Sequence, residues 1–180
     1  MTPWSLTFSA DGGLLAVSRG AVVRVWETAT GREVRRFVSP GGDVTALAFS
    51  ADARALAAAG DEDVVHLWEL ATGKERRLPA KGDLPDRLDV SATRLRRPSA
   101  GVFLALVFSP DGKTLLGGRG NDDAVYVWDL QGDRPTSKVS GHRDNVRALA
   151  VSRDGKTAAS ASADSTVLIW DLTGLKAAAH

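Results

Sequence analysis

Residues 141–171 read GHRDNVRALAVSRDGKTAASASADSTVLIWD, and this stretch holds the pattern on which the rest of the chain is built. It opens on Gly141-His142. A short apolar run, Leu149-Ala150-Val151, ends in Ser152, and the turn sequence Asp154-Gly155 follows. A second small-residue run covers Ala158 to Ala161. A third, Val167-Leu168-Ile169-Trp170, closes on an acid, Asp171. Asp-Gly between two apolar runs is a strong hairpin signal, because glycine tolerates the positive φ of a tight turn. Alternation with β-branched residues reads as strand, and no 3.6-residue period is present.

Three looser copies precede it. The tryptophan–acid pairs are Trp26-Glu27, Trp68-Glu69, Trp128-Asp129 and Trp170-Asp171, with steps of 42, 60 and 42 residues. Each copy opens on a run ending in serine (Ser9, Ser50, Ser109, Ser152), with an aspartate two residues later (Asp11, Asp52, Asp111, Asp154). After each Trp comes a turn containing glycine. A more polar fourth run follows, such as Glu33 to Val38, whose charges suit a sheet edge. Each unit is therefore expected to be a four-stranded antiparallel meander, and the chain all-β.

These features together resemble the WD-repeat β-propeller family: Gly-His before the first strand, Ser-x-Asp-Gly after it, and Trp-Asp closing the third. The resemblance covers essentially the whole chain. It implies one propeller domain over 1–180, with blades at about 1–40, 41–80, 101–140 and 141–180 and an insert at about 80–100. Members of the family usually close with seven or eight blades, so four units imply an open arc or half-ring. Three arrangements fit: a fragment of a longer propeller, two copies closing head-to-tail into an eight-bladed homodimer, or a compact four-bladed ring.

Composition narrows the function classes. The chain has 180 residues, 43% of them hydrophobic, no cysteine, and a net charge of +1 from 23 basic and 22 acidic side chains. Disulfide and thiolate chemistry are excluded. The balance of charge gives no reason to expect a nucleic-acid or membrane surface. No apolar run approaches the roughly 20 residues of a membrane span, and no signal-peptide pattern opens the chain; the reading is a cytoplasmic protein. The Arg-, Ala- and Gly-rich sequence is compatible with a regulatory or sensor domain of a bacterial multidomain protein.

Candidate sites fall into four groups. His142, Ser160 and Asp164 are the residue types of a hydrolytic triad. The resemblance implies instead a structural hydrogen-bond chain through His142, Asp164, Ser160 and Trp170. The other units have Pro40 and Ser99 at the histidine position, and Ala58 and Gly118 at the serine position, so they are expected to rely on packing alone. Second, the turns Asp61-Glu62-Asp63 and Asn121-Asp122-Asp123 are acidic; the spacing is not that of an EF-hand, and solvated turn acids are the simpler account. The resemblance places them on the propeller's top face with Asp43, as an acidic patch for a partner bearing Lys or Arg. Third, the positions just inside each first strand are Trp4, Thr45, Leu104 and Arg147, from which related propellers grip peptides; Trp4 can equally pack at the chain start. Fourth, the insert carries Arg94-Leu95-Arg96-Arg97. Its three arginines, Arg94, Arg96 and Arg97, are candidates to fold across the acidic turns.

No phosphate-cradling loop, dinucleotide fingerprint or metal-ligand spacing is present, and no cofactor is expected. The reading is a non-catalytic protein–protein interaction scaffold that binds a protein or peptide through its top face. The alternatives are a hydrolase or metal-dependent enzyme built on the top-face carboxylates, and a regulatory domain of a larger protein.

Overall fold

A computed structural model describes residues 5–80, 101–120, 123–131 and 137–175. The first sheet comprises β1 (Ser5–Phe8), β2 (Leu14–Arg19), β3 (Val22–Glu27) and β4 (Glu33–Val38). The second comprises β5 (Val44–Phe49), β6 (Ala55–Gly60), β7 (Val64–Glu69) and β8 (Glu75–Pro79). The third comprises β9 (Phe103–Phe108), β10 (Thr114–Arg119), β11 (Ala124–Asp129) and β12 (Ser137–Ser140). Each is an antiparallel meander in chain order. The fourth sheet holds three strands among the described residues: β13 (Val146–Val151), β14 (Thr157–Ser162) and β15 (Val167–Asp171). Thr173-Gly174, expected as a turn, falls in a single helical turn, α1 (Leu172–Leu175). Asp171 caps it, its Oδ1 accepting the Thr173 backbone N–H at 2.8 Å.

The first hairpin of every sheet is locked in one way. Ser9, Ser50, Ser109 and Ser152 each donate through Oγ to the aspartate two residues on, at 2.5–2.6 Å. Each serine oxygen also accepts the backbone N–H of the residue five positions on, at 2.9–3.0 Å. Gly12, Gly112 and Gly155 occupy the turn at φ 67–71°. The second sheet puts Ala53 there, at φ 54°.

The sheets stack in chain order, β1 beside β5, β5 beside β9 and β9 beside β13. The core lies between them, in three slabs. Between the first two sheets, Ala16, Val23, Val25 and Phe37 meet Leu47, Leu56, Ala58 and Trp68, with Phe37 and Trp68 stacked at 4.6 Å. Between the second and third, Ala48, Ala57, Ala59 and Val65 meet Phe103, Leu115, Tyr126 and Trp128. Between the third and fourth, Leu116, Val125 and Val127 meet Val146, Ala158 and the partly buried Trp170. Trp68, Trp128 and Trp170 thus each face the preceding sheet. Trp26 lies on the first sheet of the described residues and is only half-buried.

Outer strands pin the next sheet. Arg35 on β4 donates through Nε to the Leu70 carbonyl at 2.6 Å and through Nη2 to that of Ala71 at 2.7 Å. Arg76 on β8 reaches the Leu130 carbonyl at 2.8 Å. The charges of the fourth run therefore do more than blunt an edge. They fasten neighbouring sheets together.

Candidate functional site

In the fourth sheet the loop before β13 brings His142 over β14 and β15. Trp170 Nε1 donates to Ser160 Oγ at 2.7 Å, and His142 Nε2 lies 2.7 Å from the same oxygen. His142 Nδ1 lies 3.1 Å from Asp164 Oδ2, which also accepts the Arg143 backbone N–H at 2.8 Å. A carboxylate only accepts, so Nδ1 donates to Asp164, and in the neutral ring Nε2 then accepts from the serine hydroxyl. Asp164 Oδ1 takes Thr166 Oγ1 at 2.6 Å and its N–H at 2.8 Å. Those bonds, the Thr166 hydroxyl foremost, hold the Asp164 carboxyl well below the ordinary carboxylate range. Ser160 is 1% exposed. Its oxygen is enclosed between an indole and an imidazole, an unsuitable position for a nucleophile.

The expectation that the other units rely on packing alone is corrected. In the second sheet His66, on β7 and 2% exposed, lies with Nδ1 2.6 Å from Glu75 Oε1 and Nε2 3.0 Å from Glu62 Oε2. Its ring stacks on Trp68 at 5.7 Å, and the bond to His66 is the chief reason the Glu75 carboxyl is held low. In the third sheet Arg119, 3% exposed, donates to the Gly101 carbonyl at 2.6 Å and to Asp63, and sits over the Phe103 ring at 5.3 Å. Trp128 Nε1 donates to the Pro79 carbonyl at 3.0 Å. Each network uses different residue types, so a search for His and Ser at fixed offsets misses them. A charged or ionisable residue inside an otherwise apolar alternation was the available signal.

The loops entering β5, β9 and β13 meet the turns between the second and third strands. Asp61 N–H bonds the Asp43 carbonyl at 3.3 Å, and Asp43 Oδ1 lies beside Gly20. Asp61 is exposed and Asp43 half-buried. Glu62 is turned inward to His66, and Asp63 is engaged by Arg119. Asp123 is half-buried, at φ 57°.

Thr45, Leu104 and Arg147 share a feature that their spacing alone did not reveal. The ladder skips each of them: Val44 pairs Gly60 and Ala46 pairs Ala59; Phe103 pairs Arg119 and Ala105 pairs Gly118; Val146 pairs Ser162 and Ala148 pairs Ala161. Each is the extra residue of a β-bulge, a device that re-aims a side chain. Arg147 is exposed, Leu104 is half-buried, and Thr45 donates to the Phe103 carbonyl at 2.5 Å. Trp4, Asp122, Arg94, Arg96 and Arg97 lie outside the described residues. Among the described residues, no group of three or more His, Asp or Glu could hold a metal ion, and no helix is long and apolar enough to cross a membrane.

Four antiparallel sheets carrying these turns are blades of the WD-type β-propeller. The family model "WD domain, G-beta repeat" matches residues 31–69, 92–129 and 133–171, more than half the chain. The chain belongs to the WD-repeat family. Each match ends on a tryptophan–acid pair, and the first takes in β4 of one blade with β5 to β7 of the next. The sequence repeat therefore straddles two sheets and links them covalently.

Among curated relatives, the LEC14B protein of Lithospermum erythrorhizon is 27% identical over 91% of this chain and 35% of its own length. The small ribosomal subunit protein RACK1y of Oryza sativa subsp. japonica is 46% identical over 29% of this chain and 16% of its own. The intraflagellar transport protein 122 homolog of Xenopus tropicalis is 42% identical over 36% of this chain and 5% of its own. The chain spans about a third or less of the length of these relatives. WD-repeat homologues of this kind typically act as protein-interaction scaffolds.

Proposed function

We propose that this chain is a non-catalytic scaffold that holds a protein or peptide partner at the end of the blades where the entry loops and second turns meet. The supporting observation is the row of bulges. Three neighbouring innermost strands each break their ladder at the same place, at Thr45, Leu104 and Arg147, and Asp43 and Asp61 meet beside the first of these bulges. An exposed acid and a half-buried one, on turns fixed by rigid sheets, suit a partner bearing Lys or Arg. A hydrolytic triad of His142, Ser160 and Asp164 would need Ser160 free, but it is enclosed and its oxygen is already bonded on both sides. The same module can serve within a larger multidomain protein, its blades completed by further blades or by a second copy.

A fluorescently labelled Arg- and Lys-rich peptide of about ten residues is the probe. Binding should weaken tenfold or more in the Asp43→Asn/Asp61→Asn double variant, about 1.4 kcal/mol, and should fall with added salt. Absence of binding, or equal binding by the double variant, would refute the assignment of this face.

A further inference from the structure

Two histidines are buried among the described residues, and their partners ask for different protonation. His142 meets one carboxylate, at Nδ1, and the Ser160 hydroxyl, at Nε2. A ring with one proton satisfies both. His66 meets a carboxylate at each nitrogen: Glu75 Oε1 lies 2.6 Å from Nδ1, and Glu62 Oε2 lies 3.0 Å from Nε2. Carboxylates only accept, so both nitrogens must donate, and in this geometry the ring is an imidazolium. Glu62 stands six residues before Trp68, the place that Asp164 holds before Trp170. The second blade thus keeps the carboxylate but draws its imidazole from β7 rather than from the entry loop, where Pro40 stands.

A second partner for Nε2 is already in place. Ser39 Oγ, in the loop entering β5 and 5% exposed, lies 3.4 Å from it. A ring with one proton would keep Nδ1–H on Glu75, which Arg77 also holds at 3.1 Å. Its Nε2 would accept the Ser39 hydroxyl, as that of His142 accepts Ser160, and Glu62 would lose its donor on the ring. The seat of Glu62 exists because position 41 has no side chain: a Cβ on Gly41 would fall on the Glu62 carboxyl group. The Glu62 and Glu75 side chains are 22% and 31% exposed, so a proton can leave the ring to solvent through them. Among the described residues, the charged groups facing the ring are Glu62 from the turn and Glu75 with Arg77 from β8. β6 opposes it with Ala58, and β4 contributes Phe37, stacked on the same Trp68 that His66 stacks on.

We propose that His66 is a proton-operated latch on the turn between β6 and β7. The imidazolium holds Glu62 inward over Gly41. Loss of the Nε2 proton to solvent passes that nitrogen to the Ser39 hydroxyl and frees Glu62. Glu62 sits between Asp61, which meets Asp43, and Asp63, which engages Arg119 on the third blade. The latch therefore acts on a turn that touches two blades, and as the pH rises that end of the molecule gains a free carboxylate. It works in the same way whatever that end of the blades binds.

Ring-nitrogen NMR of the 15N-labelled chain, titrated from about pH 5 to about pH 9, tests the latch. His66 should begin with both nitrogens protonated and end with Nε2 bare, and the backbone amide signals of Glu62 and Gly41 should move at the same midpoint. Glu62→Gln keeps the side chain's shape without its charge, and should lower that midpoint by about one pH unit or more. Ser39→Ala removes the hydroxyl that receives the neutral ring, and should raise it. Gly41 lies outside the left-handed region, so Gly41→Ala fills the seat of Glu62 without backbone strain and should lower the midpoint with every charge intact. A parent-like circular dichroism spectrum accompanies each reading. A ring with one proton from the start, or one that keeps both to the end, would overturn the latch. So would Glu62 and Gly41 signals that stay still through the transition, or a midpoint that moves the same way in Glu62→Gln and Ser39→Ala.

Discussion

Asp164 is where a single carboxylate organises the most structure. It ties together the loop before β13, the turn before β15 and the imidazole that reaches Ser160. Because its folded-state pKa is depressed, the stabilisation is fully present above the unfolded-state carboxylate pKa of about 4 and is lost as pH falls below it. Asp164→Asn should therefore lower the urea midpoint at pH 7. The gap between variant and parent should narrow steadily between about pH 4 and pH 2. A gap independent of pH would show that the amide loses geometry rather than charge. His66 and Arg119 do equivalent structural service in other blades with other chemistry, each meeting its buried polar atoms with carboxylates or carbonyls.

The hairpin is the element whose grammar is most uniform. Serine and aspartate make the same bonds in all four sheets, and three of the four turns place glycine in the left-handed region. Ala53 is the exception at φ 54°. An L-residue there costs roughly 1–2 kcal/mol, against roughly 0.5–1 kcal/mol of extra unfolded-chain entropy for glycine. Ala53→Gly should thus raise stability by about 0.5–1 kcal/mol in chemical denaturation. The acid after each Trp works at the same scale. Glu27 and Glu69 accept Thr30 and Thr72 hydroxyls at 2.5 Å, and Asp129 and Asp171 accept backbone N–H groups at 2.8–2.9 Å. The pair that marks the repeat is a packing residue followed by a turn lock.

At the scale of the whole molecule, stability resides between blades rather than within them, since each sheet buries its faces only against neighbours. Trp128 is 2% exposed, within the slab between the second and third blades. Trp128→Ala should cost about 3–5 kcal/mol. Trp26 holds the same sequence position on an end face and is half-buried. Trp26→Ala should cost far less, because a half-buried side chain has less packing to lose. Equal losses for the two variants would mean that the first blade's outer face is already covered within one chain.

The strands, their order and the Asp-Gly hairpins were legible in the residues because they depend on local alternation and on turn chemistry repeated in phase. The polar chain at His142 was legible for the same reason: all its members sit within one repeat. Long-range decisions were not. Nothing near Arg35 or Arg76 announces a carbonyl on the next blade, and nothing near Glu62 shows that it turns inward to His66. The bulges at Thr45, Leu104 and Arg147 emerge only when two strands are laid in register. By itself the sequence determined a repeated four-strand blade, because backbone preference and period-two burial act over a few residues. Only the tertiary structure decided which faces are covered, because burial is a property of neighbours that the local sequence does not name.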